Sequence, residues 1–108
     1  MKLIDLVDYL LHPERLPELY LAHGYTGVDP DLLSFYSENT LSLKSNVYIF
    51  SDEETDAWSV YEKEGKRYIY LFGAEEAIEN MDMLGLIDKG YSNVQIAQRL
   101  LDYCKHDA

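Results

Sequence analysis

The sequence predicts an α+β fold, with a small antiparallel sheet of about three strands (roughly 40–50, 57–62 and 67–72) packed against N-terminal and C-terminal helices. Three observations predict it. Apolar residues recur at helical spacing in the first and last thirds of the chain, and the middle third switches to a period of two. Strand and helix signals are segregated and do not alternate, which argues against a parallel βαβ sheet. The length of 108 residues fits one domain, 1–108, and the 47% apolar content is enough to fold despite the charge.

Lys2–Leu11 places Leu3, Leu6, Val7, Leu10 and Leu11 on one helical stripe, with Asp5 and Asp8 opposite. Pro13 ends this helix, because the residue before a proline is pushed out of helical geometry. Glu14–Ala22 reads as a second short helix carrying Leu16, Leu19 and Tyr20, with Pro17 tolerated in its first turn. Gly24 and Gly27 bracket a turn. Asp29-Pro30-Asp31 then reads as the start of a third helix, with Asp29 as its cap and Leu32, Leu33, Phe35 and Tyr36 on its apolar side.

In Thr40–Phe50, Leu41, Leu43, Val47 and Ile49 alternate with polar positions, as in a half-buried strand. Two more runs flank Lys63-Glu64-Gly65-Lys66, a hairpin signal. Side-chain matching sets the register: Glu62 opposite Arg67, Val60 opposite Ile69, Trp58 opposite Leu71, and Tyr61 opposite Tyr68. That register predicts a core face of Trp58, Val60, Ile69 and Leu71 and a half-exposed face of Tyr61, Tyr68 and Tyr70. Ala74, Ala77, Ile78, Met81 and Leu84 mark the next helix. Ser92-Asn93-Val94-Gln95 is a capping box opening a last helix that buries Ile96, Ala97, Leu100, Leu101 and Cys104.

Composition removes several function classes. The lone Cys104 forms no internal disulfide, which excludes a disulfide scaffold. The first apolar run is broken by Asp5 and Asp8 and does not read as a signal peptide, and no stretch is long enough to span a membrane. A net charge of -11 argues against nucleic acid and anionic lipid as partners, and the chain is expected in the cytoplasm. Signatures of nucleophilic, phosphate-binding and zinc sites are missing, and His12, His23 and His106 have no partner at ligand or triad spacing. No catalytic residue, cofactor or metal is expected, and the chain reads as non-enzymatic.

The run Ser51–Asp56 holds Asp52, Glu53, Glu54 and Asp56, but it fails the calcium-loop pattern, with Ala57 where glycine is required and Lys63 where the closing Glu is required. It reads either as a solvated connection or as an acidic docking patch. No Lys or Arg lies between Arg67 and Lys89, a stretch holding Glu75, Glu76, Glu79, Asp82 and Asp88. Carboxylates concentrated in this way repel one another and are relieved by a basic partner. The 10 tyrosines add a second feature of interfaces, although a tyrosine also serves to cap the rim of a core.

The run Leu86–Leu100, containing Gly90-Tyr91-Ser92-Asn93 and Ile96-Ala97-Gln98-Arg99-Leu100, resembles the first helix of a LuxR-type helix-turn-helix. The likeness covers about 15 residues, and no basic recognition helix follows in Asp102–Ala108 to enter a major groove. The order of strand, acidic loop, strand, glycine turn and strand also resembles bacterial immunity proteins of toxin systems, including the SUKH superfamily. The chain lacks that superfamily's glycine-rich signature and N-terminal Trp, so the likeness transfers no residues.

The leading expectation is a protein-binding module of immunity or inhibitor type that docks on a basic partner such as a toxin or nuclease. Its partner-binding residues are expected to be Asp52, Glu53, Glu54, Asp56, Tyr61, Tyr68, Tyr70, Glu75, Glu76, Glu79 and Asp82. The alternatives are an accessory or regulatory protein using the helix-turn-helix-like segment, and a structural subunit that forms a homodimer through its tyrosine face.

Overall fold

The computed structural model describes residues 1–56, 58–87 and 89–106. Ala57, Asp88 and residues 107–108, placed above at a strand start, in an acidic stretch and in the closing tail, lie outside the described residues. The fold is α+β, with helices packed on one face of a curled antiparallel sheet of four strands in the order β2-β1-β4-β3.

Helix α1 (Leu3–Leu11) buries Leu3, Leu6, Val7 and Leu10 and stops at His12, before Pro13. A 3-10 turn at Pro13–Arg15 leads into α2 (Leu16–Ala22), which buries Leu16, Leu19 and Tyr20. At Asp29 the side chain accepts the Asp31 N–H at 3.0 Å, as a cap should. The helix expected there ends after the single turn Pro30–Leu32, however, and Leu33–Glu38 is strand β1. This strand is central, and Leu33 through Ser37 are all buried. Burial on both faces removes the period of two and leaves an apolar run that looks helical.

Strand β2 covers only Val47–Ser51; the expected strand from residue 40 is replaced by turns that start at Asn39, in the left-handed region at φ 70°. Leu41 and Leu43 still pack against the core from this segment. Ser51 then caps a four-residue helix, α3 (Asp52–Thr55), through a reciprocal box with Glu54. Strands β3 (Val60–Lys63) and β4 (Lys66–Phe72) form the expected hairpin, with Val60 opposite Ile69, Tyr61 opposite Tyr68 and Glu62 opposite Arg67. Glu64 at φ 53° and Gly65 at φ 79° both take positive φ, the requirement of a two-residue type I′ turn.

The register of the paired residues is as expected, but β3 starts at Val60, so the expected pair of Trp58 with Leu71 falls outside the hairpin. The burial of the two faces also differs. Trp58 is 66% exposed and Val60 40% exposed, and Ile69 is only half-buried; Leu71 alone of the four is core. The cause is strand order. β3 is an outer strand, and the helices pack over β1 and β4 without covering it. On the opposite face Tyr68 is buried, not half-exposed, while Tyr61 and Tyr70 are half-buried. Here Phe50 of β2 lies 5.1 Å from Tyr61 of β3 and 4.9 Å from Tyr68 of β4, measured between ring centroids. On a flat sheet β2 and β3 would stand about 14 Å apart, three strand spacings. The sheet therefore curls, and its concave side closes on a second, aromatic core of Tyr36, Phe50 and Tyr68.

A shift of register between Phe35 and Tyr36 inserts one extra residue in β4. The resulting bulge lets Leu71 and Phe72, neighbours in sequence, both join the core under the helices. Helix α4 (Ala74–Met83) buries Ala77, Asn80 and Met81; Leu84, expected on its stripe, falls past the last turn and is 43% exposed. Helix α5 (Asn93–His106) opens on the expected box, with Ser92 N–H donating to Gln95 Oε1 and Gln95 N–H to Ser92 Oγ. It buries Ile96, Ala97, Leu100 and Leu101, and Cys104 is half-buried with its thiol directed at the Leu71 carbonyl. Of the run that carries the LuxR-type likeness, Leu86, Ile96, Ala97 and Leu100 thus pack the core, while Val94, Gln98 and Arg99 are exposed.

Candidate functional site

Two acidic segments distant in sequence meet at one end of the sheet. α3 begins where β2 ends, and α4 begins just after β4 ends, so both helix starts flank the first residues of β1. Between them lies an open cleft of about 550 Å³. Five carboxylate residues line it: Asp31 from the 3-10 turn, Asp52 from α3, and Glu75, Glu76 and Glu79 from α4. Its floor and walls include Ser34, Tyr36 and Tyr70, and among the described residues no Lys, Arg or His lines it.

Hydrogen bonds fix part of this arrangement. Ser34 Oγ donates to Asp52 Oδ1 at 3.3 Å, and Tyr70 Oη donates to Glu76 Oε2 at 3.4 Å. Buried Tyr36 donates its hydroxyl proton to the Trp58 carbonyl at 3.0 Å, and its oxygen lies 3.1 Å from Thr55 Oγ1, which together lock the ring that backs the cleft. The Tyr70 hydroxyl is pushed up to about 12, first by burial and then by the adjacent Glu76 carboxylate. Burial likewise raises the Tyr36 hydroxyl. Both phenols therefore stay neutral at physiological pH; Tyr36 is fully buried, and the half-buried Tyr70 gives its proton to Glu76.

Of the residues expected to bind a partner, the cleft gathers Asp52, Tyr70, Glu75, Glu76 and Glu79. It does not gather the rest. Glu53 and Glu54 line a separate recess with Tyr25 and Asp29. Burial works to raise the Glu54 carboxyl, but hydrogen bonds from Tyr25 Oη and from the Ser51 N–H and hydroxyl outweigh it and hold the group below the usual carboxylate range. Asp56 is exposed at the left-handed end of α3, and Asp82 is exposed on α4 away from the cleft. Tyr61 and Tyr68 belong to the aromatic cluster on the concave face. Asp31, Ser34 and Tyr36 are the residues that sequence reasoning missed. Asp31 was marked only as part of a helix start, and the other two sit on a strand that reads as a helix.

Among the described residues, no group of three or more His, Cys, Asp or Glu side chains is arranged to hold a metal ion. None of the helices is long and apolar enough to cross a membrane, again among the described residues. Compared with protein families, curated proteins and solved structures, the chain has no significant match.

What the cleft can do chemically follows from its lining. Clustered carboxylates accept charge-assisted hydrogen bonds, and a guanidinium meets a carboxylate in a planar two-point fork. The half-buried Tyr70 adds part of an aromatic ring to the same lining. A lining of this kind is complementary to positive charge.

Proposed function

We propose that the protein is a non-enzymatic binding module whose acidic cleft receives Arg or Lys side chains of a basic protein partner. The supporting observation is the convergence of Asp31, Asp52, Glu75, Glu76 and Glu79 on one concave surface with no Lys, Arg or His lining it among the described residues. Carboxylates held together at this density repel one another in the free protein, and a partner's cations relieve that repulsion. An immunity or inhibitor protein acting on a nuclease or toxin would work in this way, its carboxylates standing where the target otherwise holds phosphates. The reading assigns the encounter to the cytoplasm, where the lone Cys104 stays a thiol.

The test compares the native chain with a variant carrying Asp52→Asn, Glu75→Gln, Glu76→Gln and Glu79→Gln. A partner captured on the native protein is immobilised, and association is followed at two salt concentrations. The native chain should associate quickly and lose rate steeply as salt rises past the roughly 8 Å screening length of physiological buffer. The variant should bind at least tenfold more slowly, with a flatter salt slope. Equal on-rates and equal slopes for the two chains would sink the reading.

A further inference from the structure

The acidic cleft adjoins a second, mainly apolar groove of about 480 Å³. The two share Pro30, Asp31, Ala74, Glu75 and Glu79, which form a common rim between the 3-10 turn and the first turns of α4. Beyond that rim the groove is walled by Leu16, Pro17 and Tyr20 of α2 and by Ile78 of α4. Three prolines, Pro13, Pro17 and Pro30, stiffen its edges. No Lys, Arg or His lines either part among the described residues.

We infer that cleft and groove form one bipartite site for a basic partner's segment that carries an apolar side chain next to an Arg or Lys. This rests on the proposed function and specifies the ligand chemistry of the same site. Charge complementarity selects the occupant. An apolar side chain entering the groove passes Asp31, Glu75 and Glu79, so a segment with acidic neighbours is repelled at the rim and one with basic neighbours is drawn in. The two halves then do different work. The cation supplies orientation and speed of encounter, and the apolar side chain supplies burial, the term that grows with area removed from water.

Three small probes separate these contributions: arginine amide, N-acetyl-phenylalanyl-arginine amide, and its citrulline counterpart, which keeps shape and loses the charge. Affinities are read from backbone amide shifts during titration. Burying a phenylalanine ring outweighs the cost of ordering the probe, so the Phe-Arg probe should bind about tenfold tighter than arginine amide. The citrulline probe should bind at least tenfold more weakly than the Phe-Arg probe. Ile78→Ser should remove the advantage of the Phe-Arg probe over arginine amide, and Ile78→Leu should restore it.

Equal affinities for arginine amide and the Phe-Arg probe, unmoved by Ile78→Ser, would overturn the bipartite site and leave the cationic cleft standing. A citrulline probe that binds as well as the Phe-Arg probe would also overturn it, by showing a groove indifferent to charge. If no probe shifts the amides of Tyr70, Glu76 or Glu79, the cleft reading falls and the bipartite site falls with it.

Discussion

At the scale of single residues, the distinction that matters is between Trp58 and the aromatic residues of β1. The largest side chain of the sequence is 66% exposed, so Trp58→Ala removes little buried area and should change stability by less than about 0.5 kcal/mol. Phe35 is 1% exposed, stacks on Tyr20 and meets Phe72 edge-on, so Phe35→Ala should cost roughly 3–5 kcal/mol. Urea denaturation of the two variants checks both values, and a large loss for Trp58→Ala would contradict the exposed placement. The titrating residues give a second test with opposite signs at the two ends of the pH scale. Glu54 is held below its ordinary value in the fold, so its contribution is complete above the usual carboxylate range and disappears as pH falls through the folded value. Tyr70 is raised to about 12 in the fold, so its contribution is complete below the unfolded value near 10 and is lost between there and about 12. Glu54→Gln should therefore flatten the acid limb of a stability profile, and Tyr70→Phe should flatten the alkaline limb. An unchanged alkaline limb in Tyr70→Phe would show that this hydroxyl is not held back from ionising.

At the scale of elements, legibility depended on whether an element shows one face to solvent or none. α1 and α5 each pack one stripe, and their periodicity and caps were readable to within a residue or so. The β3–β4 hairpin was readable in register because its turn and its cross-strand pairs agree. β1 was not readable. A strand covered by helices on one side and by curled-over aromatics on the other has no polar face to alternate with, and Asp29-Pro30 before it mimics a helix start. α3 did leave a signal, since Ser51-Asp52-Glu53-Glu54 has the spacing of a capping box, but so short a helix gives no apolar stripe. Misplacing β1 also hid the cleft, because Ser34 and Tyr36 project from that strand. The cap of α5 provides the prediction at this scale. Ser92 Oγ is the acceptor for the Gln95 N–H, so Ser92→Ala should lower stability by about 1 kcal/mol, while Ser92→Asp should retain most of the cap. Equal denaturation midpoints for native and Ser92→Ala protein would show that the box adds nothing to the hold of α5 on the core.

At the scale of the whole molecule, the net charge of -11 works against the compact state, and the cleft concentrates that cost. The acids there are not equivalent. Glu75 and Glu76 occupy the first turn of α4, where the helix dipole favours negative charge. Glu79 lies a turn further on and shares the cleft with Asp31, so it has the repulsion without that compensation. Glu79→Gln should therefore leave the isolated protein as stable or slightly more stable at low salt, by a few tenths of a kcal/mol, in the range of exposed charge pairs. Glu75→Gln should lose a comparable amount as its favourable dipole interaction goes. Added salt screens both, so the two variants should converge on native stability as ionic strength approaches 1 M, where the screening length is about 3 Å. Thermal unfolding across a salt series reads this directly. If Glu79→Gln destabilises at every salt concentration, the glutamate is held by a favourable contact and the cleft is not a site of stored repulsion. If it stabilises at low salt and also slows association with the basic partner, the same carboxylate weakens the free fold and strengthens the complex. That is the behaviour expected of a charge kept for binding and not for folding.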